Sequence, residues 1–219
     1  DHLRALRAVR LAARLGFEIE PATASAIRRH AAELAGVSRE RIGDELRRML
    51  AHPSRGAAVA LLTHLALDAP VLAEPHSDAP APTLAALDAA ADTPTSLAAW
   101  ALDRGLRPVA GAIAPLVRRW RDALCLSNEE RDALDATLTG FGLLGADWSG
   151  LGIANRKRAA SAAWFPSAIC LLDVRNPEQA SMIRAGVAEL AASPQGLAPA
   201  PLVTGDDLIA AGFRPGPAF

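Results

Sequence analysis

At 219 residues, 51% of them hydrophobic and 21% charged, the chain can bury a core but contains no apolar run near the eighteen or so residues a membrane span needs. The net charge of −1 hides an asymmetry: residues 1–55 hold eleven arginines against seven acidic residues, so a polyanion would meet the N-terminal quarter first. Cys125 and Cys170 lack CxxC or Cys/His spacing, which excludes a thiolate zinc or haem site and predicts buried, reduced thiols in a cytoplasmic protein.

Alanine and leucine dominate nearly every segment, and no sustained period-two alternation occurs, so the predicted fold is all-α, an array of short helices without a substantial sheet. The first helix is expected over His2 to Leu15, with Gly16 as its left-handed cap and Phe17 folding back. A second starts at Pro21, a favoured first-turn residue, and ends before Gly36. Ser38 is placed to cap a third, whose early Glu40, Asp44 and Glu45 and late Arg47 and Arg48 suit the helix dipole. His52-Pro53 stops it, and Ser54 opens a fourth reaching Leu67. Four prolines between Asp68 and Pro82 predict a linker. Beyond it, helices are expected near 83–104, 109–126, 128–143, 156–172 and 178–192, with Ser127 or Asn128 and Asn155 as caps. Ala192 to Pro201 reads as a loop, and Gly205-Asp206-Asp207 starts a short last helix ended by Gly212.

Asp1, Arg4, Arg7 and Arg10 recur at three-residue spacing, which on a helix stacks them one turn apart along one edge. Such a ribbon could read a base at its first turn and hold phosphates further down, because a guanidinium fork suits phosphate and planar pairing. A solvated face behind a capping Asp is the alternative.

The residues around this ribbon carry a family pattern. Asp1, Arg4, the run Leu6-Arg7-Ala8-Val9-Arg10-Leu11-Ala12, then Leu15-Gly16-Phe17, resemble the neck of class II tRNA nucleotidyltransferases and bacterial poly(A) polymerases. That family carries Glu-Asp-x-x-Arg followed by Leu-Arg-Ala-x-Arg-Phe-Ala-x-x-Leu-Gly-Phe; Leu11 stands where it usually has Phe. The resemblance continues through Ile19-Glu20-Pro21-Ala22-Thr23, Val37 to Ile42, Glu45-Leu46 and Met49-Leu50, and returns in residues 201–209 and 215–217. It implies a neck at 1–53 with nucleotide- and RNA-binding helices, a last neck helix and Pro-rich linker at 54–82, and a helical body and tail at 83–219, truncated at the C-terminus.

From the same resemblance, Asp1, Arg4, Arg7 and Arg10 are expected to bind the nucleotide, and Arg14, Arg28 and Arg29 the RNA. The expected partners are a tRNA or other RNA 3′ end, ATP and CTP, with no membrane and no DNA. In the family, head-domain carboxylates in a Gly-Ser/Gly-x-Asp-x-Asp motif hold Mg²⁺ for attack of the RNA 3′-hydroxyl on the α-phosphate. That motif does not occur here, so this chain is expected to bind no metal, to lack the catalytic head and to be inactive by itself. CCA addition and poly(A) addition share these neck motifs. A stand-alone helical RNA-binding module and a structural helical scaffold are the competing readings.

Other groups read as structure. Histidines 2, 30, 52, 64 and 76 form no HExxH or His-Asp doublet, and His30 and His64 read as surface or partly packed. Asp206 and Asp207 read as capping carboxylates. Trp100, Trp120, Trp148 and Trp164 read as core. Arg118, Arg119, Arg121 and the cluster Arg156-Lys157-Arg158 read as solvated faces.

Overall fold

The computed structural model describes residues 2–109, 111–146, 148–198, 205–212 and 216. Among the described residues every regular element is helical and no strand occurs, as the composition predicted. In chain order they are α1 (Leu3–Leu15), α2 (Pro21–Arg29), a 3-10 helix (Ala31–Gly36), α3 (Arg39–Leu50), α4 (Arg55–His64), α5 (Asp68–Leu72), α6 (Pro82–Ala85), α7 (Thr93–Asp103), α8 (Ile113–Leu124), α9 (Asn128–Gly145), α10 (Ile153–Ala160), α11 (Phe165–Arg175), α12 (Pro177–Ala192) and α13 (Gly205–Ala210).

Local chemistry accounts for most of the ends. Gly16 takes the left-handed conformation (φ 68°) that closes α1, and the Phe17 amide returns to the Ala12 carbonyl. Both Glu20 carboxylate oxygens accept from α2, from the Ala22 amide at 2.9 Å and the Thr23 amide at 2.7 Å. Ser127 and Glu130 cap α9 reciprocally: the Glu130 amide donates to Ser127 Oγ at 3.1 Å, and the Ser127 amide to Glu130 Oε2 at 2.8 Å.

Several segments differ from the sequence reading. The 83–104 stretch is two helices, because Asp92 caps a new start at Thr93 by accepting from the Thr95 amide at 2.8 Å. The 156–172 stretch also divides, at residues 161–164, and α10 starts after Gly152 with Asn155 inside it. Helix α2 tightens into the 3-10 helix after Arg29, and α4 ends at His64. Ser54 stands at the start of α4 without capping it; its Oγ lies 2.8 Å from His52 Nδ1. Cys125 is the left-handed cap of α8 (φ 48°), and both thiols are free and only half-buried.

The Pro-rich stretch is also more ordered than a linker. It opens with α5, whose Asp68, Val71 and Leu72 are buried. Asp68 then fastens the following strap: its carboxylate accepts from the Ser77 amide at 3.0 Å and Arg104 Nη1 at 2.8 Å, and lies 2.6 Å from His76 Nδ1. The main core draws on side chains from both sides of this strap, from Leu3 and Leu6 through Leu62 and Leu72 to Trp100, Trp120 and Leu138. A second, smaller cluster gathers Leu144, Trp148, Phe165, Ile169, Leu172 and Ile183. Trp164 is half-buried beside it, its ring centroid 6.1 Å from that of Phe165.

Helix α3 joins the N-terminal helices to the rest, packing on α1 and α4 on one side and on α7 and α8 on the other. Two features set the α3–α8 contact. Gly43 leaves no side chain where a Cβ would stand 2.1 Å from the Leu124 carbonyl oxygen. Arg47 donates from Nη2 to the Cys125 carbonyl at 2.8 Å and meets the Glu130 carboxylate at 2.6 and 3.0 Å. These carbonyls at the C-terminal end of α8 lack helical partners, so a guanidinium suits them.

Candidate functional site

The arginine ribbon sits on α1, beside a parallel line of buried residues, Leu3, Leu6, Val9 and Ala12. A three-residue step turns 300° on a helix, so each successive arginine is rotated by about 60° relative to the last. The ribbon therefore drifts from solvent toward α3. Arg4 is exposed, the Arg7 side chain is 49% exposed, and that of Arg10 is 19% exposed. Arg14, one four-residue step further, returns to the surface beside the exposed Leu11, Leu15 and Phe17.

What the ribbon drifts toward is Glu45 of α3. Its side chain is 3% exposed, on the same helix face as the buried Ile42, Leu46 and Met49. Arg10 donates from Nε to Glu45 Oε2 at 2.8 Å, and Arg7 from Nε to Glu45 Oε1 at 3.3 Å. Arg48 Nη1 lies 3.6 Å from the same Oε1. A carboxylate taken out of water needs such partners, since burying it unpaired costs several kcal/mol or more. One carboxylate against three guanidiniums leaves a local charge of +2. Chemically, such an edge offers planar donors of the kind that suit an anion.

The remaining predicted residues belong to other parts of the chain. Asp1 lies outside the described residues. Arg29 is exposed on α2. Arg28 is turned onto the end of α4, donating from Nε and Nη2 to the His64 carbonyl at 3.1 and 2.9 Å, with Nη2 also 3.0 Å from His64 Nε2. Near the start of α1, His2 Nε2 and His30 Nδ1 meet opposite oxygens of Glu33 at 3.1 and 2.7 Å. The His30 contact, followed by its charge and that of His2, holds the Glu33 carboxyl below its usual range. Arg119 pairs with Glu74, while Arg118 and Arg121 are exposed. Asp206 and Asp207 stand exposed in the first turn of α13, and no cluster of His, Cys, Asp or Glu among the described residues could hold a metal ion.

Sequence reasoning assigned Glu45 and Arg48 to helix-dipole chemistry and missed their place in this edge. The available signal was a carboxylate in the Ile42-Glu45-Leu46-Met49 repeat, on a face otherwise apolar.

Comparison with known proteins adds a family. Residues 16–79 match the model described as the probable RNA and SrmB-binding site of polymerase A. The chain is 44% identical over 72 residues to a CC-adding tRNA nucleotidyltransferase of Thermus thermophilus, covering 31% of this chain and 17% of that one. It is 33% identical over 142 residues to a CCA-adding enzyme of Lactiplantibacillus plantarum, covering 63% and 34%. With a CC-adding tRNA nucleotidyltransferase of Geobacter sulfurreducens it shares 57% identity over 53 residues, covering 24% and 12%. These matches span only about a third or less of the relatives' own length. No solved structure matches the chain significantly. Over the matched stretches the chain is thus similar to the CCA-adding and poly(A) polymerase family, as its N-terminal motifs implied.

Proposed function

We propose that this chain is the RNA-holding and nucleotide-selecting part of a template-independent RNA nucleotidyltransferase that extends the 3′ end of tRNA or another RNA. The observation that carries this reading is the arginine edge of α1, solvent-facing at Arg4, Arg7 and Arg14 and backed by Glu45 on α3. Its net positive charge suits phosphates, and the family match over residues 16–79 supports RNA as the source of some of them.

In this reading Asp1 and Arg4 face the base of the incoming ATP or CTP. Cytosine and adenine both carry an exocyclic amino donor beside a ring-nitrogen acceptor, whereas uracil and guanine place a carbonyl there. An ionised Asp only accepts and an Arg only donates, so one helical turn can pair with C or A and leave U or G unmatched. An unmatched buried acceptor costs roughly 1–3 kcal/mol. Arg7 and Arg10, further along the edge, suit ribose or triphosphate oxygens. Arg14 and Arg29 suit RNA phosphates, and Arg28 joins them on release from His64. The bond-forming step, which in the family uses Mg²⁺ on head-domain carboxylates, is assigned to no residue of this chain.

The test is fluorescence anisotropy with a labelled tRNA between 50 and 200 mM salt. Arg14→Ala with Arg29→Ala removes two exposed cations from different helices. It should weaken binding and reduce the slope of log affinity against log salt by roughly 1.4–1.8, at 0.7–0.9 per phosphate contact. Binding as tight and as salt-dependent as in the parent would remove these arginines from the RNA surface.

A further inference from the structure

We propose that Glu45 is a positioning residue for the anion edge, and that Arg48 is its third cation: one buried carboxylate on α3 aims Arg7 and Arg10 of α1, together with Arg48, at the phosphate chain of a nucleoside triphosphate. The inference rests on the nucleotide-binding reading of Arg7 and Arg10, and adds two residues from a different helix.

The geometry separates aiming from neutralisation. Glu45 meets both α1 arginines through Nε, at 3.3 and 2.8 Å, and so engages only one of the five donors on each guanidinium. Nε is the donor nearest the side-chain stem. A contact there fixes the plane of the guanidinium while leaving its Nη groups for a ligand. Arg7 and Arg10 lie one turn apart on α1, and two long side chains held from beneath lose less freedom on binding than two mobile ones. Arg48, one turn along α3 from Glu45, lies 3.6 Å from the same carboxylate and is 63% exposed, so it can swing between Glu45 and an incoming phosphate. Its neighbour Arg47 is committed elsewhere, to Glu130 and the end of α8. The two adjacent arginines of α3 therefore divide their work, one holding the fold and one facing the edge.

The alternative is that Glu45 only fastens α1 to α3. The two readings predict opposite signs. Removing a carboxylate from beneath a phosphate site removes a repulsion, so a Glu45 that only fastened the helices would yield tighter anion binding on neutralisation. A Glu45 that aims the arginines would yield weaker binding despite the gain in net positive charge.

The probe is inorganic tripolyphosphate, titrated calorimetrically into the whole 219-residue chain at low salt. Arg7→Ala and Arg10→Ala should each weaken binding, and Arg48→Ala should weaken it less. Glu45→Gln should weaken it roughly tenfold, as for coupled neighbours, and this effect should shrink to near nothing in an Arg7→Ala/Arg10→Ala background. Glu45→Asp keeps the charge but draws the oxygens back by one methylene, so it reports on aiming alone and should weaken binding as well. It also serves if Glu45→Gln fails to fold. The Nε–H signals of Arg7 and Arg10 in a ¹H–¹⁵N spectrum should be slow to exchange in the parent and fast in the Glu45 variants. Binding lost in the Arg7 and Arg10 variants but unchanged or tighter in both Glu45 variants would overturn the positioning role and leave the proposed function standing. Binding indifferent to Arg7 and Arg10 would instead overturn the nucleotide reading itself.

Discussion

Gly43→Ala should loosen the joint between the N-terminal helices and the rest of the chain. The ideal Cβ would stand 2.1 Å from the Leu124 carbonyl oxygen and 2.9 Å from its carbonyl carbon, in backbone rather than in a flexible side chain. An ordinary carbon–oxygen contact needs about 3.3 Å, so α3 and α8 must part by about 1 Å. That movement stretches the Arg47 contacts to the Cys125 carbonyl and Glu130, now 2.8 and 2.6 Å, and opens space around Ile42, Leu46 and Leu124. Overpacking of this kind costs about 1–3 kcal/mol. The gain in helix propensity from Gly to Ala, up to about 1 kcal/mol, offsets part of it. For a chain of this length each kcal/mol lowers Tm by about 2–4 °C. The net expectation is a fall of several degrees in a calorimetric or circular-dichroism melt. A Gly43→Ala protein that melts at or above the parent temperature would show that α3 and α8 are not in backbone contact there.

Three further outcomes follow from named side chains. Glu130 is held below the usual glutamate value of 4.5, chiefly by its hydrogen bonds from Arg47, so the stability it adds is present above that value and is lost as pH falls through the depressed one. Urea melts at descending pH should therefore show Glu130→Gln losing less stability than the parent below about pH 4.5, and parallel curves would discard the Arg47–Glu130 pair as an acid-labile contact. His76 is raised above 6.5, first by its bond to Asp68, so its contribution is complete below that value and fades as pH rises through the raised one; His76→Ala should narrow the stability gap to the parent between neutral and mildly alkaline pH, while a constant gap would assign His76 a pH-independent role. In a protein that joins this chain to a metal-binding head, Asp1→Ala should relax discrimination against UTP and GTP in single-turnover incorporation, whereas Arg7→Ala should weaken all nucleotides alike; unchanged selectivity in Asp1→Ala would return Asp1 to helix capping.

Much of the secondary structure was legible because it depends on neighbours a few residues apart. Gly16, Ser38, Ser127 and Pro21 mark helix ends by chemistry confined to one turn, and the alanine- and leucine-rich composition leaves no alternative to helix. The arginine ribbon was legible for the same reason, since three-residue spacing fixes its line along α1. One misreading came where a distant contact overrode local propensity. Four prolines made 68–82 read as a linker, yet Asp68, buried and bound by His76, Ser77 and Arg104, draws that stretch onto the core.

The sequence alone determined an all-helical chain, its basic N-terminal quarter, and the residue types of the candidate site. Which arginine does what was settled only by packing. Arg7, Arg10 and Arg48 share one carboxylate, while Arg28 and Arg47 are spent on helix ends at His64 and Cys125. The physical reason is that a guanidinium takes its role from whichever acceptors lie within reach. The acceptors of Arg7, Arg10, Arg28 and Arg47 named above lie 35 to 83 residues away, so only packing between helices brings them within reach.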